Sequence, residues 1–184
     1  MRTKQLVLTA LFAALTAIGA FLQIQIPVEG IPAITLQFFF TAMAGVLLGA
    51  KYGAISQAVY VLLGLVGLPI FTMGGGFSYV LQPSFGFLVG LIPSAWVIGT
   101  LCKNAKSFWP MALGILAGLA VLYLIGTPYM GLILNLYLGK GMSVWQIVRA
   151  GCLLYLPGDV LKIVVCTALC LALRSRLPKA LAAA

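Results

Sequence analysis

Apolar residues run along this chain in long blocks, and short polar or glycine- and proline-rich stretches separate the blocks. A block of about twenty apolar residues is long enough to cross the hydrocarbon core of a bilayer as a helix. The pattern predicts helices at residues 5–24, 35–50, 52–67, 84–101, 108–125 and 157–174. We therefore expect one integral membrane domain, residues 1–184, built as an all-α bundle of six transmembrane helices.

The charged residues support a membrane protein and predict its orientation. Only 7% of the residues are charged and 63% are hydrophobic, whereas about a quarter of a soluble domain is charged. Lysine and arginine collect in the cytoplasmic loops of membrane proteins. If the N-terminus is cytoplasmic, that side holds most of the 11 basic residues. These are Arg2, Lys4, Lys51, Lys103, Lys106, Arg174, Arg176 and Lys179. Both termini are therefore predicted to be cytoplasmic.

The segment 126–156 is too apolar for a disordered loop and too long for a turn. Ser143 is followed three residues later by Gln146, which is the spacing of a capping box at a helix start. This spacing predicts an amphipathic helix that lies at the outer surface or folds back into it. Trp145 is then expected at the membrane interface.

Several function classes are excluded by what the chain contains. The net charge of +9 comes from basic residues that stand singly or in pairs between apolar blocks, so no patch tracks the phosphates of a nucleic acid. With no histidine and two acidic residues, neither a metal site nor a nucleophile with its base can be assembled. The cysteines are interpreted as buried thiols; they are Cys102, Cys152, Cys166 and Cys170. We expect no enzyme, no metal and no cofactor.

The segment "YLPGDVLKIVV", residues 155–165, places a carboxylate and an ammonium in an apolar block. Asp159 and Lys162 are three residues apart, so a helix presents both on one face. A charge at the bilayer centre costs roughly 2.5 to 3.5 kcal/mol and usually faces an interior or an aqueous cavity. From these residues alone, the pair is either a ligand site or a structural ion pair, with Asp159 serving the helix start.

The loop "GLPIFTMGGGFSYVLQPSFG", residues 67–86, is the second candidate for ligand binding. Its glycine run is either a flexible turn or a place where the backbone approaches a ligand closely. Its aromatic residues are either interface anchors or walls of a site, and its amide side chain offers a donor and an acceptor. The candidate residues are Phe71, Gly74, Gly75, Gly76, Phe77, Tyr79 and Gln82.

The first apolar block carries a run of small residues at helical spacing. Ala10 with Ala14, and Ala13 with Ala17, form two overlapping patterns of small residues four apart, which let another helix approach closely. That helix belongs either to this bundle or to a partner subunit.

Three separated motifs together resemble the BioY family, the biotin-specific S components of energy-coupling factor (ECF) transporters. They are "IPAITLQ" at 31–37, "YVLLGLVGLPIFTMGGGFSYVLQPSFGFLVG" at 60–90 and "PGDVLK" at 157–162. The resemblance covers nearly the whole chain. It implies a multi-pass protein of a bacterial or archaeal cell membrane that binds biotin from outside. A transmembrane coupling subunit and two ATPase subunits would be its partners.

The same resemblance implies roles for particular residues. The family's Asp-x-x-Lys motif matches Asp159 and Lys162, which would contact the ligand. The polar residue before the loop proline matches Gln82, where relatives often have asparagine. The alanine-rich face of the first helix resembles the family's docking surface for the coupling subunit.

High-affinity biotin binding and uptake as an S component is therefore the predicted function. Three alternatives remain open: an S component for another water-soluble vitamin, a solitary vitamin facilitator, and a structural membrane protein with an internal Asp-Lys pair.

Overall fold

The computed structural model describes residues 3–26 and 31–176, and these residues are mostly helical. The helices are α1 (Thr3–Phe21), α2 (Gln37–Leu65), α3 (Phe85–Leu101), α4 (Phe108–Leu132), α5 (Val144–Val148) and α6 (Leu156–Arg176). In the described part of the chain, four helical stretches are long and apolar enough to cross a membrane: Thr3–Phe21, Gln37–Leu65, Phe108–Tyr137 and Val144–Ser175. Helix α3 is apolar but shorter. The predicted all-α membrane fold is confirmed.

Helix α2 is a tight hairpin rather than one straight rod. Its helical path is interrupted at Gly49, with φ 78° and ψ 176°, a conformation essentially restricted to glycine. The Gln37 amide donates to the Tyr60 hydroxyl at 2.8 Å, and the Thr41 hydroxyl donates to Gln57 at 2.9 Å. In a straight helix those pairs would lie about 35 Å and 24 Å apart. The chain therefore reverses at Gly49, and its two halves correspond to the predicted blocks 35–50 and 52–67.

Helix α3 packs closely against this hairpin. Gly99 of α3 lies on the backbone of Gly49 and Ala50, and a side chain at position 99 would collide with that backbone. Behind this contact, fully buried side chains from α3 and α4 form the centre of the core, among them Ile98, Met111 and Ile115. Close packing through glycine lets apolar helices approach until their side chains interlock.

The cysteines are distributed as the apolar pattern suggested, with one exception. Cys102, Cys166 and Cys170 are free and buried, whereas Cys152 is partly exposed.

Two short strands follow α1, and Gln23, Ile24 and Thr35 within them were predicted to be helical. β1 (Gln23–Ile24) pairs antiparallel with β2 (Ile34–Thr35), with Gln23 opposite Thr35. Helix α1 ends at Phe21, so the predicted boundary at residue 24 is wrong by three residues. The strand pairing returns the chain beside the end of α1 before α2 begins.

Helices α4 and α6 are joined by a helical hairpin. A π-helical turn, Ile133–Tyr137, extends α4, and a second, Arg149–Leu153, joins α5 to α6. The predicted capping box starts α5: Ser143 accepts from the Gln146 N–H at 3.3 Å, and Gln146 accepts from the Ser143 N–H at 2.8 Å.

The side chain of Arg174 bonds to three parts of the bundle and holds them at one side. The guanidinium of Arg174, near the end of α6, donates to the carbonyls of Cys102 at 2.8 Å and Ala105 at 3.1 Å, and also to Val46. The hairpin turn of α2, the end of α3 and the end of α6 therefore meet at one side of the bundle. Arg2 and Lys179, also predicted on that side, lie outside the described residues.

Candidate functional site

A pocket opens where the N-terminal ends of α3 and α6 meet the segments before α2 and α3. Its empty volume is about 650 Å³, a figure that includes space open to solvent. The lining residues are Pro32, Ala33, Thr35, Gln37, Phe38, Thr72, Tyr79, Ser84, Phe87, Leu88, Leu91, Leu122, Tyr123, Tyr155, Asp159 and Lys162. The wall thus combines aliphatic and aromatic side chains with a few polar groups.

The charged pair of α6 lies in this wall. Lys162 Nζ is 2.7 Å from Asp159 Oδ1, and the Tyr123 hydroxyl of α4 donates to Asp159 Oδ2. The side chains of Lys162 and Asp159 are only 12% and 6% exposed. Asp159 also stands in the first turn of α6, where the helix dipole favours a negative charge. The carboxylate is therefore stabilised on both oxygens, while an ammonium carries two further donors.

A cluster of three hydroxyl groups, Thr72, Tyr79 and Ser84, forms another part of the wall. The Tyr79 hydroxyl is 2.8 Å from Thr72 Oγ1, and Ser84 donates to it at 3.1 Å. The Tyr79 ring packs on Phe71 with centroids 4.7 Å apart, and Phe71 packs edge-on against Tyr60. These contacts between aromatic rings fix the position of the Tyr79 oxygen.

The segment before α2 contributes a further polar group to the pocket. Thr35 donates to Gln37 Oε1 at 3.0 Å, and Gln37 Nε2 donates to the Tyr60 hydroxyl at 2.8 Å. Tyr60 in turn donates to the Ile70 carbonyl at 3.1 Å. From the turn just before α6, the Tyr155 hydroxyl donates to the carbonyl of Pro32. These bonds join the segment 31–37 to the loop before α3 and to the start of α6, and they hold this part of the wall together.

The apolar wall comes mainly from α3 and α4. Phe87, Leu88 and Leu91 lie on one face of α3, as positions three and four apart on a helix do. The Phe87 ring packs edge-on against the Tyr123 ring with centroids 6.5 Å apart. Such a surface suits the apolar body of a small ligand.

Three of the predicted site residues line this pocket: Asp159, Lys162 and Tyr79. Phe71 is 1% exposed and supports Tyr79 from behind. Phe77 is 79% exposed and is not part of the pocket lining.

The remaining predicted loop residues lie beside the pocket rather than in its lining. Gly75 and Gln82 line a second, neighbouring depression that also borders Tyr79. Gly74 and Gly76 have φ values of 108° and 100°. The Phe71 N–H bonds to the Gly74 carbonyl at 2.8 Å, so the glycine run forms a tight turn.

The sequence did not single out several lining residues, notably Thr35, Gln37, Thr72, Ser84 and Tyr123. Thr35 and Gln37 fall within the quoted motif "IPAITLQ", which was the available signal for them. Tyr123 stands inside an apolar block, where nothing local tells a ligand wall from a contact between helices.

The alanines of α1 face two directions. Ala10 and Ala14 are exposed, Ala13 is buried against the bundle and Ala17 is half-buried. The pair Ala10 and Ala14 therefore presents a smooth outer surface, flanked by exposed apolar side chains such as Leu11.

Known proteins share both the sequence and the fold. The sequence profile of the BioY family matches residues 1–179. A probable biotin transporter BioY from Lysinibacillus sphaericus is 45% identical over 143 residues, which cover 77% of this chain and 71% of that protein. The biotin transporter BioY from Thermotoga maritima is 36% identical over 93% of this chain and 96% of that protein. A crystal structure of the S-component for biotin from an ECF-type ABC transporter superimposes with a TM-score of 0.83 at 27% identity, covering 96% of this chain and 93% of that one.

Proposed function

This chain belongs to the BioY family, and from that membership we propose its function. It takes up biotin as the S component of an ECF-type importer, and it is a transport protein rather than an enzyme. One observation carries the proposal: a pocket holds the Asp159 and Lys162 pair in a largely apolar wall. The similarity to a biotin S-component over nearly the whole chain agrees with it.

Biotin and the polar groups of the pocket are complementary in chemistry. Biotin has a ureido group with two N–H donors and one carbonyl, an apolar bicyclic body, an alkyl chain and a carboxylate. Asp159 accepts from the ureido N–H groups, and Lys162 donates to the ureido carbonyl, both through charge-assisted hydrogen bonds. A ligand carboxylate at this pair would lie beside the like charge of Asp159, which is unfavourable in a desolvated site. We therefore assign the ureido end to the pair. No cofactor takes part.

The proposed topology has six membrane crossings with both termini cytoplasmic, the two halves of α2 being separate crossings. The contacts of Arg174 with Val46, Cys102 and Ala105 support it, because they bring three turns and ends to one side. Lys51 and Lys103 belong to those same turns, and clustered basic residues mark the cytoplasmic side. The pocket then opens to the outside.

The proposed partners are a transmembrane coupling subunit and two ATPase subunits in a bacterial or archaeal cell membrane. The exposed pair Ala10 and Ala14 is the proposed docking surface, since small residues permit close helix contact. Ala14→Trp should abolish copurification of the coupling subunit and leave biotin binding unchanged. Ala172→Trp, at an exposed alanine of α6, is the matched control. Equal loss of the partner in both variants would contradict this docking surface.

A melting-temperature screen of the purified protein against water-soluble vitamins tests the function. Ligands that bind only the native state raise the melting temperature, so biotin should raise it while thiamine and riboflavin should not. A shift with another vitamin instead would make the chain an S component for that vitamin. No shift with any vitamin would favour a structural role. Uptake of labelled biotin in cells lacking the ATPase subunits would identify a solitary facilitator.

A further inference from the structure

The pocket contains a second set of donors that the proposed contacts with the ureido group do not use. The side chains of Thr72, Tyr79 and Ser84 bring three hydroxyl groups together, with the Tyr79 oxygen bonded to the other two. All three side chains line the pocket. The other neutral polar side chains of the wall already have partners: Thr35 bonds to Gln37, Gln37 to Tyr60, Tyr123 to Asp159 and Tyr155 to the Pro32 carbonyl.

The hydroxyl cluster and the charged pair come from different parts of the chain. Thr72, Tyr79 and Ser84 precede α3, whereas Asp159 and Lys162 belong to α6. Both sets line the same pocket. A ligand with two polar ends can therefore meet one set with each end.

The chemistry of hydroxyl groups suits an anion at this position. A hydroxyl is both donor and acceptor, so the three groups that bond to one another can also turn to donate to a ligand. An O–H group that donates to a carboxylate oxygen makes a short, strong hydrogen bond. The adjoining N-terminus of α3, which begins at Phe85, adds the positive end of a helix dipole.

We infer that the hydroxyl groups of Thr72, Tyr79 and Ser84 form a carboxylate subsite, which binds the acid end of the ligand with neutral donors. The inference rests on the proposed function, since it takes biotin as the ligand. It assigns the two ends of the ligand to different parts of the pocket: the ureido group to Asp159 and Lys162, and the carboxylate to the hydroxyl cluster.

Two ligands that differ only at the acid end test this assignment. Biotin and biotin amide are titrated calorimetrically into the purified full-length protein in detergent. Thr72→Val and Ser84→Ala each remove one hydroxyl. Thr100→Val and Ser175→Ala are the matched controls, because those hydroxyls are exposed and bond only to carbonyls of their own helix. The melting temperature without ligand verifies that each variant is folded.

The two kinds of variant should affect the two ligands differently. Thr72→Val and Ser84→Ala should weaken biotin binding by about tenfold or more and biotin amide by a clearly smaller factor, because bonds to charged groups contribute more than neutral ones. The charge-neutral double variant Asp159→Asn/Lys162→Gln should weaken both ligands by the same factor. The controls should change neither.

Two results would overturn the carboxylate subsite while leaving the proposed function intact. One is an equal loss for both ligands in the hydroxyl variants. The other is a loss in the Asp159→Asn/Lys162→Gln variant that is confined to biotin, which would place the carboxylate at the charged pair. If the unaltered protein bound neither ligand, the proposed function and this inference would both fail.

Discussion

Removing one charge of the Asp159 and Lys162 pair should destabilise the protein more than removing both charges. Lys162→Met leaves the carboxylate of Asp159, whose side chain is 6% exposed, with the Tyr123 hydroxyl as its only side-chain partner among the described residues. Breaking a buried ion pair in this way costs about 3 to 5 kcal/mol, whereas replacing the whole pair by neutral groups is often close to neutral. Because the pair borders a pocket, the lower end of that range, about 3 kcal/mol, is the appropriate expectation.

The melting temperature of the purified protein measures both the stability and the ligand response. For a chain of this length each kcal/mol corresponds to about 2 to 4 °C, so Lys162→Met should melt about 6 to 12 °C lower. Biotin at a hundred times its dissociation constant contributes about 2.7 kcal/mol to the native state. The unaltered protein should therefore gain about 5 to 10 °C with biotin. The Asp159→Asn/Lys162→Gln variant should melt near the unaltered protein but lose that gain.

Two outcomes would refute this reasoning, one for the ligand role of the pair and one for the stabilising role of Lys162. If the double variant kept the full biotin-induced rise, the pair would be a structural ion pair and not a ligand site. If Lys162→Met melted at the temperature of the unaltered protein, the carboxylate would not depend on Lys162 for its stability.

Three further substitutions test the packing around the site. Gly49→Ala should lower the free energy of unfolding, measured by chemical unfolding, by about 1 to 3 kcal/mol, because position 49 adopts a conformation restricted to glycine. The control Gly158→Ala adds a methyl group into open space and should be neutral or stabilising. Gly64→Ala should lower the free energy of unfolding by about 1 to 3 kcal/mol through overpacking, because its methyl group would overlap the Phe71 ring that supports the pocket wall. It should also weaken biotin binding, and an unchanged affinity measured by calorimetry would contradict this. Arg174→Lys should lower the melting temperature without changing biotin affinity, because an ammonium cannot reproduce the fork of guanidinium donors; an unaltered melting temperature would show that the three carbonyl contacts contribute nothing.

The helical fold could be predicted from the sequence because each helix is an apolar block. The break between the blocks at 35–50 and 52–67 coincides with the hairpin turn at Gly49, where glycine and Lys51 interrupt the apolar pattern. The strand pairing of Gln23 with Thr35 could not be predicted, because it depends on the return of a distant segment. Local patterning determines where a helix can form, while tertiary contacts decide where it ends.

The charged residues of the site were the most predictable, because charged side chains are unusual within a membrane. Charges in an apolar block are costly, which is why Asp159 and Lys162 stood out. Neutral polar residues carry no such signal: Gln37 and Gln57 both stand in apolar blocks. Gln37 lines the pocket, whereas Gln57 is fully buried and accepts a hydrogen bond from Thr41. Only the folded arrangement tells the two amides apart.

The two halves of the α2 hairpin are much shorter than the helical stretch that contains α4. Its halves, residues 37–48 and 50–65, span about 18 and 24 Å at the helical rise, whereas the continuous helical stretch Phe108–Tyr137 spans about 45 Å. A typical hydrocarbon core is about 30 Å thick, and a mismatch is relieved by tilting the helix or by thinning the bilayer. In the proposed topology, where each half of α2 is a separate crossing, the bilayer would thin beside the α2 hairpin, while α4 would tilt or the bilayer beside it would thicken. The tilt of the protein would then depend on the acyl-chain length of the surrounding lipids.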